Sequence, residues 1–295
     1  MLKAISFNLL NQNGGMFMTW RIVADSSCDL FALPEETPGV AFATIPFIIR
    51  VGQTEYIDDE KISVDGMLTA NENHREMAQT ACPSPQAFAE EFAKPGDVLA
   101  FTISSNLSGS YNSACTAKHM VEEEQPGKHI AVIDTKATGP ETVLIIRKAC
   151  ELIKQGLSID EIEKALIDTA AKTHIIFALS SYHNLIKAGR VNRLVGLIAG
   201  HLGFWGIGVG DDNGEIAMRG KARGPKNMLK VMLEEIGKIG LCGTRVVISH
   251  SQNQEAADQL KDRLLAAYPH ITVDILPTRG LDSFYAERHG LIVGF

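Results

Sequence analysis

The segment Ser104-Ser-Asn-Leu-Ser-Gly-Ser110 places four hydroxyls and a glycine between an apolar run, DVLAFTI (97–103), and a stretch of helical character, SACTAKHMVEEE (113–124). Free backbone N–H groups and the positive end of a helix dipole make such a junction suited to an anion or a carboxylate. The same pattern also reads as a Ser-rich cap and turn. Thr80, in TACPSP (80–85), heads a second expected loop-to-helix junction, where two prolines stiffen the backbone and fix the direction of a hydroxyl. Two neutral donors from separate loops, Thr80 and Ser108, suffice chemically to hold one carboxylate without a lysine. Taken singly, each is an ordinary cap.

Other chemistries compete for the same residues. Ser108 on a strand-to-helix turn suggests a nucleophile elbow, but the G-x-S-x-G pattern is missing: Asn106 and Ser110 stand where both glycines belong. His250, closing TRVVISH (244–250), is the candidate base, without an Asp and His pair in the usual order. A serine hydrolase of lipid or small esters using Ser108 is therefore the alternative reading. No G-x-x-x-x-G-K-[ST] follows a strand, and Gly206-Ile-Gly208-Val-Gly210 falls within an expected strand, so no nucleotide site is expected. Cys115 and His119 have i, i+4 spacing but no further ligands in view, and neither a metal nor a cofactor is expected. The five cysteines form no CxxC pair, which fits a reducing cytoplasm better than a zinc ribbon or a disulfide scaffold.

These residues need elements to position them. The 295 residues are 45% hydrophobic and 21% charged, an ordinary globular balance, and the net charge of −7 with no basic stripe argues against nucleic acid. Strand, polar loop and helix recur three times: RIVAD (21–25) followed by the cap residues Ser26, Ser27 and Asp29; DVLAFTI followed by the serine loop; and HIAVIDT (129–135) followed by KATGP and a long helix. Three such units predict a mostly parallel sheet flanked by helices. VAFATIPFII (40–49) reads as one buried strand, and VGQTEYIDD (51–59) as a turn with a short edge strand. Ser84 is the expected cap of a helix with Pro85 in its first turn, and Ser158 opens a helix whose apolar positions Ile159, Ile162, Leu166 and Ile167 share a face.

From residue 175 a second set begins, with helices at 183–190 and around 192–200 and a hairpin at Asn213-Gly214. Further helix and strand patterns to residue 277 make this part α+β with a mixed sheet. The expected division is an unstructured extension over 1–17, a first domain over 18–174 and a second over 175–295. Residues 194–210 are uncharged, but their glycines and His201 point to a buried helix running into a strand, not a membrane span.

IVADSSCDL (22–30), TACPSP (80–85), FTISSNLSGSYNSA (101–114), VIDTKATG (132–139) and LIKAGRVNR (185–193) together resemble the DegV family of bacterial fatty-acid-binding proteins, from about Thr19 to the C-terminus. The resemblance implies two α/β domains, a long acyl chain buried in the first and its carboxylate presented near the interface. It also implies a carrier subunit without catalytic residues of its own, offering the acyl group to a separate ATP-dependent fatty acid kinase. The family's threonine falls on Thr80 and its serine on Ser108, with Ser104 and Ser105 lining the same loop and Arg190 and Arg223 near the carboxylate or the kinase-facing surface. Ala81 and Ser110 depart from the family's serine and threonine. The family's H-x-G-P-G histidine is missing, and His289 is the nearest. A ligand sensor using the same pocket without a kinase is a third reading.

Overall fold

A computed structural model describes residues 20–74, 77–191, 203–241 and 243–295. The expected N-terminal extension and the helix around 192–200 lie outside these residues. The first sheet is parallel, in the order β2 (Val40–Ile45), β1 (Trp20–Asp25), β6 (Asp97–Thr102), β7 (Ile130–Asp134). Its inner strands are apolar on both faces because both are covered. Val23, Val98 and Ala100 pack against Phe88 and Phe92 of α2 (Pro85–Phe92) and Ala117 and Val121 of α3 (Ser110–Glu124). Ile22, Leu99 and Phe101 pack against Ile145 and Ile146 of α4 (Gly139–Lys154) and Ile162 and Leu166 of α5 (Ile159–Ala170).

The second sheet is mixed, in the order β10 (Ile216–Arg223), β9 (Phe204–Gly210), β8 (Ile175–Leu179), β13 (Leu291–Gly294), β11 (Arg245–His250), β12 (Thr272–Pro277). Only β11 and β12 run parallel. The helices Pro225–Ile239 (α7) and Gln254–Ala267 (α8) cover one face through Met228, Met232, Leu260 and Leu264. The start of α4 abuts the other face: a side chain on Gly294 would stand 2.5 Å from the Glu141 backbone nitrogen. α4 is thereby held between the two sheets.

The expected hairpin forms at Asn213-Gly214, and Ser158 and Glu161 make a reciprocal capping box. Three expectations fail. The run 40–49 is two strands in different sheets, β2 and β3 (Ile48–Val51), parted at Pro46, which has no N–H to continue a ladder. No α-helix follows β1: Ser26–Cys28 is a single 3₁₀ turn, stopped by Asp29 at a left-handed φ of 54°. Thr80 lies not in a loop but on a strand, β5 (Ala78–Ala81), which joins β3 and β4 (Thr54–Ile57) in a small antiparallel sheet. This sheet rests on α1 (Val64–Asn73), a helix that was not anticipated, nor was α9 (Gly280–Ala286). Among the described residues no helix is long and apolar enough to cross a membrane.

Candidate functional site

Thr80 and Ser108 line one cavity of about 930 Å³. β5 brings Thr80 in beside Ile49 of β3. The loop between β6 and α3 brings Ser108, and its shape is fixed from below. The buried Asp25 carboxylate accepts from Ser27 Oγ at 2.5 Å, Ser27 N at 3.3 Å, Ile103 N at 3.0 Å and Ser110 Oγ at 2.6 Å. Ser108 N donates to Ser104 O at 3.1 Å, and Ser108 Oγ accepts from Ser110 N at 3.3 Å. Gly109 caps α3 without a side-chain bond, so the helix's positive end faces the cavity beside Ser108.

The polar end also holds a residue that sequence reading did not single out. Tyr285 of α9 lines the cavity, and its hydroxyl lies 2.8 Å from Thr80 Oγ1. Arg190, exposed after α6 (His183–Lys187), lines it as well. Leu107, Thr138, Leu185, Ile216, Asp282 and Tyr285 are shared with an adjoining apolar cavity. Its walls are Ile175, Phe177 and Leu179 of β8, Ile292 of β13, and Ala286. The apolar space is thus not confined to residues 18–174; most of its lining comes from residues 175–295. Gly208, paired with Phe177 across β8 and β9, explains part of the GIGVG run: a side chain there would stand 2.5 Å from the Phe177 ring. Gly206 makes the same allowance for Tyr182.

The remaining candidates lie elsewhere. Ser104 is fully buried and donates to Gly214 O at 2.7 Å, fastening the β9–β10 hairpin to the serine loop. Ser105 bonds through its backbone to Asp134, 3.1 Å. Neither lines the cavity. Arg223 is exposed at the end of β10, 5.8 Å above the Phe204 ring. His289 is exposed in a turn at φ 73°, its backbone tied to Ser251 and Asn253. The candidate base His250 bonds Gln254 at 2.9 Å and Asn253 N at 3.1 Å, and no histidine is among the described residues lining the cavity. Among the described residues Ser108 has no partner of the kind a nucleophilic serine needs.

Behind the cavity lies a buried charged layer. Arg279 donates to Leu30 O at 2.6 Å and Thr44 Oγ1 at 3.1 Å, bonds Asp58 O, and stacks 4.2 Å from the Phe31 ring centre. Asp58 accepts from Gly280 N at 2.8 Å and Leu281 N at 3.0 Å, fixing the first turn of α9 and thereby Tyr285. Burial raises the Asp25 carboxyl, pushes Asp29 up to about 7 and lifts Asp282 well above the carboxylate range, with Asp29 adding to the last effect. Among the described residues no group of acids, histidines and cysteines is arranged to hold a metal ion.

Comparison with known proteins gives a consistent relationship. The model of the DegV family of uncharacterised proteins matches residues 19–286. A DegV domain-containing protein of Streptococcus pneumoniae is 36% identical over 278 residues, covering 94% of this chain and 99% of the relative. Among solved structures, the fatty acid kinase B3 protein of S. pneumoniae loaded with linoleic acid superposes with a TM-score of 0.91 at 36% identity, over 94% of this chain and 99% of that one. A DegV family protein of Eubacterium eligens loaded with heptadecanoic acid gives 0.89 at 34% identity, over the same shares.

Proposed function

Since this chain belongs to the DegV family, we propose that it binds a long-chain fatty acid, with the carboxylate at Thr80 and Ser108 and the acyl chain in the adjoining apolar cavity. The observation that carries this reading is the continuity of a polar end, built from Thr80, Ser108 and Tyr285, with apolar walls of Phe177, Leu179 and Ile292. Burying a sixteen-carbon chain at about 0.8 kcal/mol per methylene yields on the order of 10 kcal/mol before association costs. Affinity therefore comes from the chain, while the hydroxyls set its direction.

Neutral donors hold the carboxylate and leave one of its oxygens open to phosphoryl transfer, with Arg190 the charged group on the same wall. The protein then acts as a carrier in the cytoplasm, and a separate ATP-dependent kinase does the chemistry, in keeping with the relative described as part of a fatty acid kinase. Residues 18–174 and 175–295, divided as the two large sheets divide, serve as two domains that close on the ligand. Denaturing extraction of the purified protein followed by lipid mass spectrometry should return a stoichiometric long-chain fatty acid. Repeated recovery of lipid-free protein that also fails to take up added fatty acid refutes the reading.

A further inference from the structure

Four carboxyl groups, those of Asp25, Asp29, Asp58 and Asp282, are each 5% exposed or less and lie in one buried layer with a single guanidinium, Arg279, 2% exposed. Their hydrogen bonds divide them into two kinds. Asp25 receives four donors, and Asp58 receives two backbone N–H groups with Arg279 Nε 3.6 Å away. Asp29 and Asp282 are each held by one oxygen only: Arg279 N donates to Asp29 Oδ1 at 2.7 Å, and Thr138 Oγ1 to Asp282 Oδ1 at 2.7 Å. Among the described residues Asp282 Oδ2 has no partner, and the Asp29 carboxyl has beyond this bond only the Ser249 hydroxyl beside it. Both flank one spot, since a side chain on Gly139 would stand 2.5 Å from Asp282 Oδ2 and 2.9 Å from Asp29 Oδ2.

The groups around this pair do not supply the missing positive charge. Asp25 and Cys28 face it from β1 and the 3₁₀ turn, Asp58 from the end of β4, the Ser249 hydroxyl from β11, and Arg279 from the head of α9. Arg279 is already bonded to Leu30, Thr44 and Asp58. Two ionised carboxylates flanking one point in a dry layer repel, and a proton on one of them removes the repulsion. Asp282 also reaches the ligand cavity, whose other ionisable walls among the described residues are Cys82, Lys136, Arg190, Glu215 and Tyr285.

We propose that Asp29 and Asp282 hold one proton between them and that Asp282 is thereby a specificity-determining residue of the cavity: the protonated pair admits an anionic head group, and the ionised pair rejects it. This rests on the fatty-acid reading. Burial acts in the same direction on both carboxyls, pushing Asp29 up to about 7 and raising Asp282. A bound anion favours the protonated pair, so binding takes up a proton, and affinity present at low pH is lost as pH rises through the pair's titration.

The test uses delipidated full-length protein with cis-parinaric acid and its methyl ester as fluorescent probes. For wild type the dissociation constant of the acid should rise by up to about tenfold per pH unit above about pH 7, while that of the ester stays flat. Asp282→Asn should abolish the slope for the acid. A slope retained in both Asp282→Asn and Asp29→Asn overturns the inference. Should neither variant fold, calorimetry of acid binding to wild type in buffers of different ionisation enthalpy decides: close to one proton taken up supports the pair, and none overturns it. If wild type binds neither probe at any pH, the fatty-acid reading has failed instead. The shared proton is then sought as a protonated-carboxyl infrared band, and its absence from wild type overturns the pair as well.

Discussion

At the scale of single residues, the site depends on hydroxyls whose direction is set by other hydrogen bonds. Thr80→Ala and Ser108→Ala should each weaken fatty-acid binding by roughly 1.5–3 kcal/mol, the worth of a hydrogen bond to a charged group, while leaving binding of a methyl ester much less affected. Titration with the acid and its ester measures the difference, and equal losses for both would remove these hydroxyls from the head-group site. Tyr285→Phe leaves Thr80 without its 2.8 Å partner and should cost about 1 kcal/mol in affinity or stability, read by the same titration and by denaturant unfolding. Thr80 and Ser108 were legible in the sequence because each sits in a compact, chemically loaded motif. Tyr285 was not: its partner is 205 positions away, and a tyrosine among SFYAER carries no local mark. Ser104 misled for the opposite reason. It belongs to the right motif, but its hydroxyl is spent on a hairpin that only the tertiary fold brings near.

At the scale of elements, the recurring strand-loop-helix pattern made the parallel sheet readable, since covered strands are apolar on both faces and two of the covering helices, α2 and α5, open on side-chain caps. The cap of α5 offers a clean check: Ser158→Ala removes the hydroxyl half of its capping box, leaves the backbone N–H of residue 158 bonded to Glu161, and should lower stability by about 1 kcal/mol without touching ligand affinity. What the pattern concealed was strand allegiance. Residues 40–49 are apolar but for Thr44, yet Pro46 divides them between two sheets, and periodicity carries no information about which neighbour a strand will choose. β9 makes the corresponding point about shape. Gly208→Ala pushes a methyl group into the Phe177 ring, so it should both destabilise the fold by about 1–3 kcal/mol and alter the chain lengths accepted by the apolar cavity. A panel of saturated acids of increasing length, compared between the variant and wild type, reads that second effect.

At the scale of the whole molecule, buried carboxyls link stability to pH. Glu141, at the head of α4 between the two sheets, is pushed up to about 8 by burial, against the opposing bond from Thr173 Oγ1 at 2.8 Å. Its folded-state value lies above its unfolded one, so its contribution is fully present below the unfolded value and is lost as pH rises through about 8. Thermal unfolding should accordingly show Tm falling between about pH 6 and about pH 8, with a slope of up to about 1.4 kcal/mol per pH unit from this group. Glu141→Gln should flatten that part of the profile. An unchanged profile in the variant would assign the slope to other carboxyls.

The position of β13 bears on how the chain is made. Residues 291–294 lie in the middle of the second sheet, joining β8, synthesised more than a hundred residues earlier, to β11. As the polypeptide leaves the ribosome, the first sheet and its helices can close while β8, β9 and β10 wait with a free edge. The second sheet, and with it the part of the apolar wall made by Ile175, Phe177, Leu179 and Ile292, cannot be completed until β13 arrives. Contacts of such long sequence separation form slowly, and an open strand edge is the place where a nascent chain is most exposed to wrong pairing.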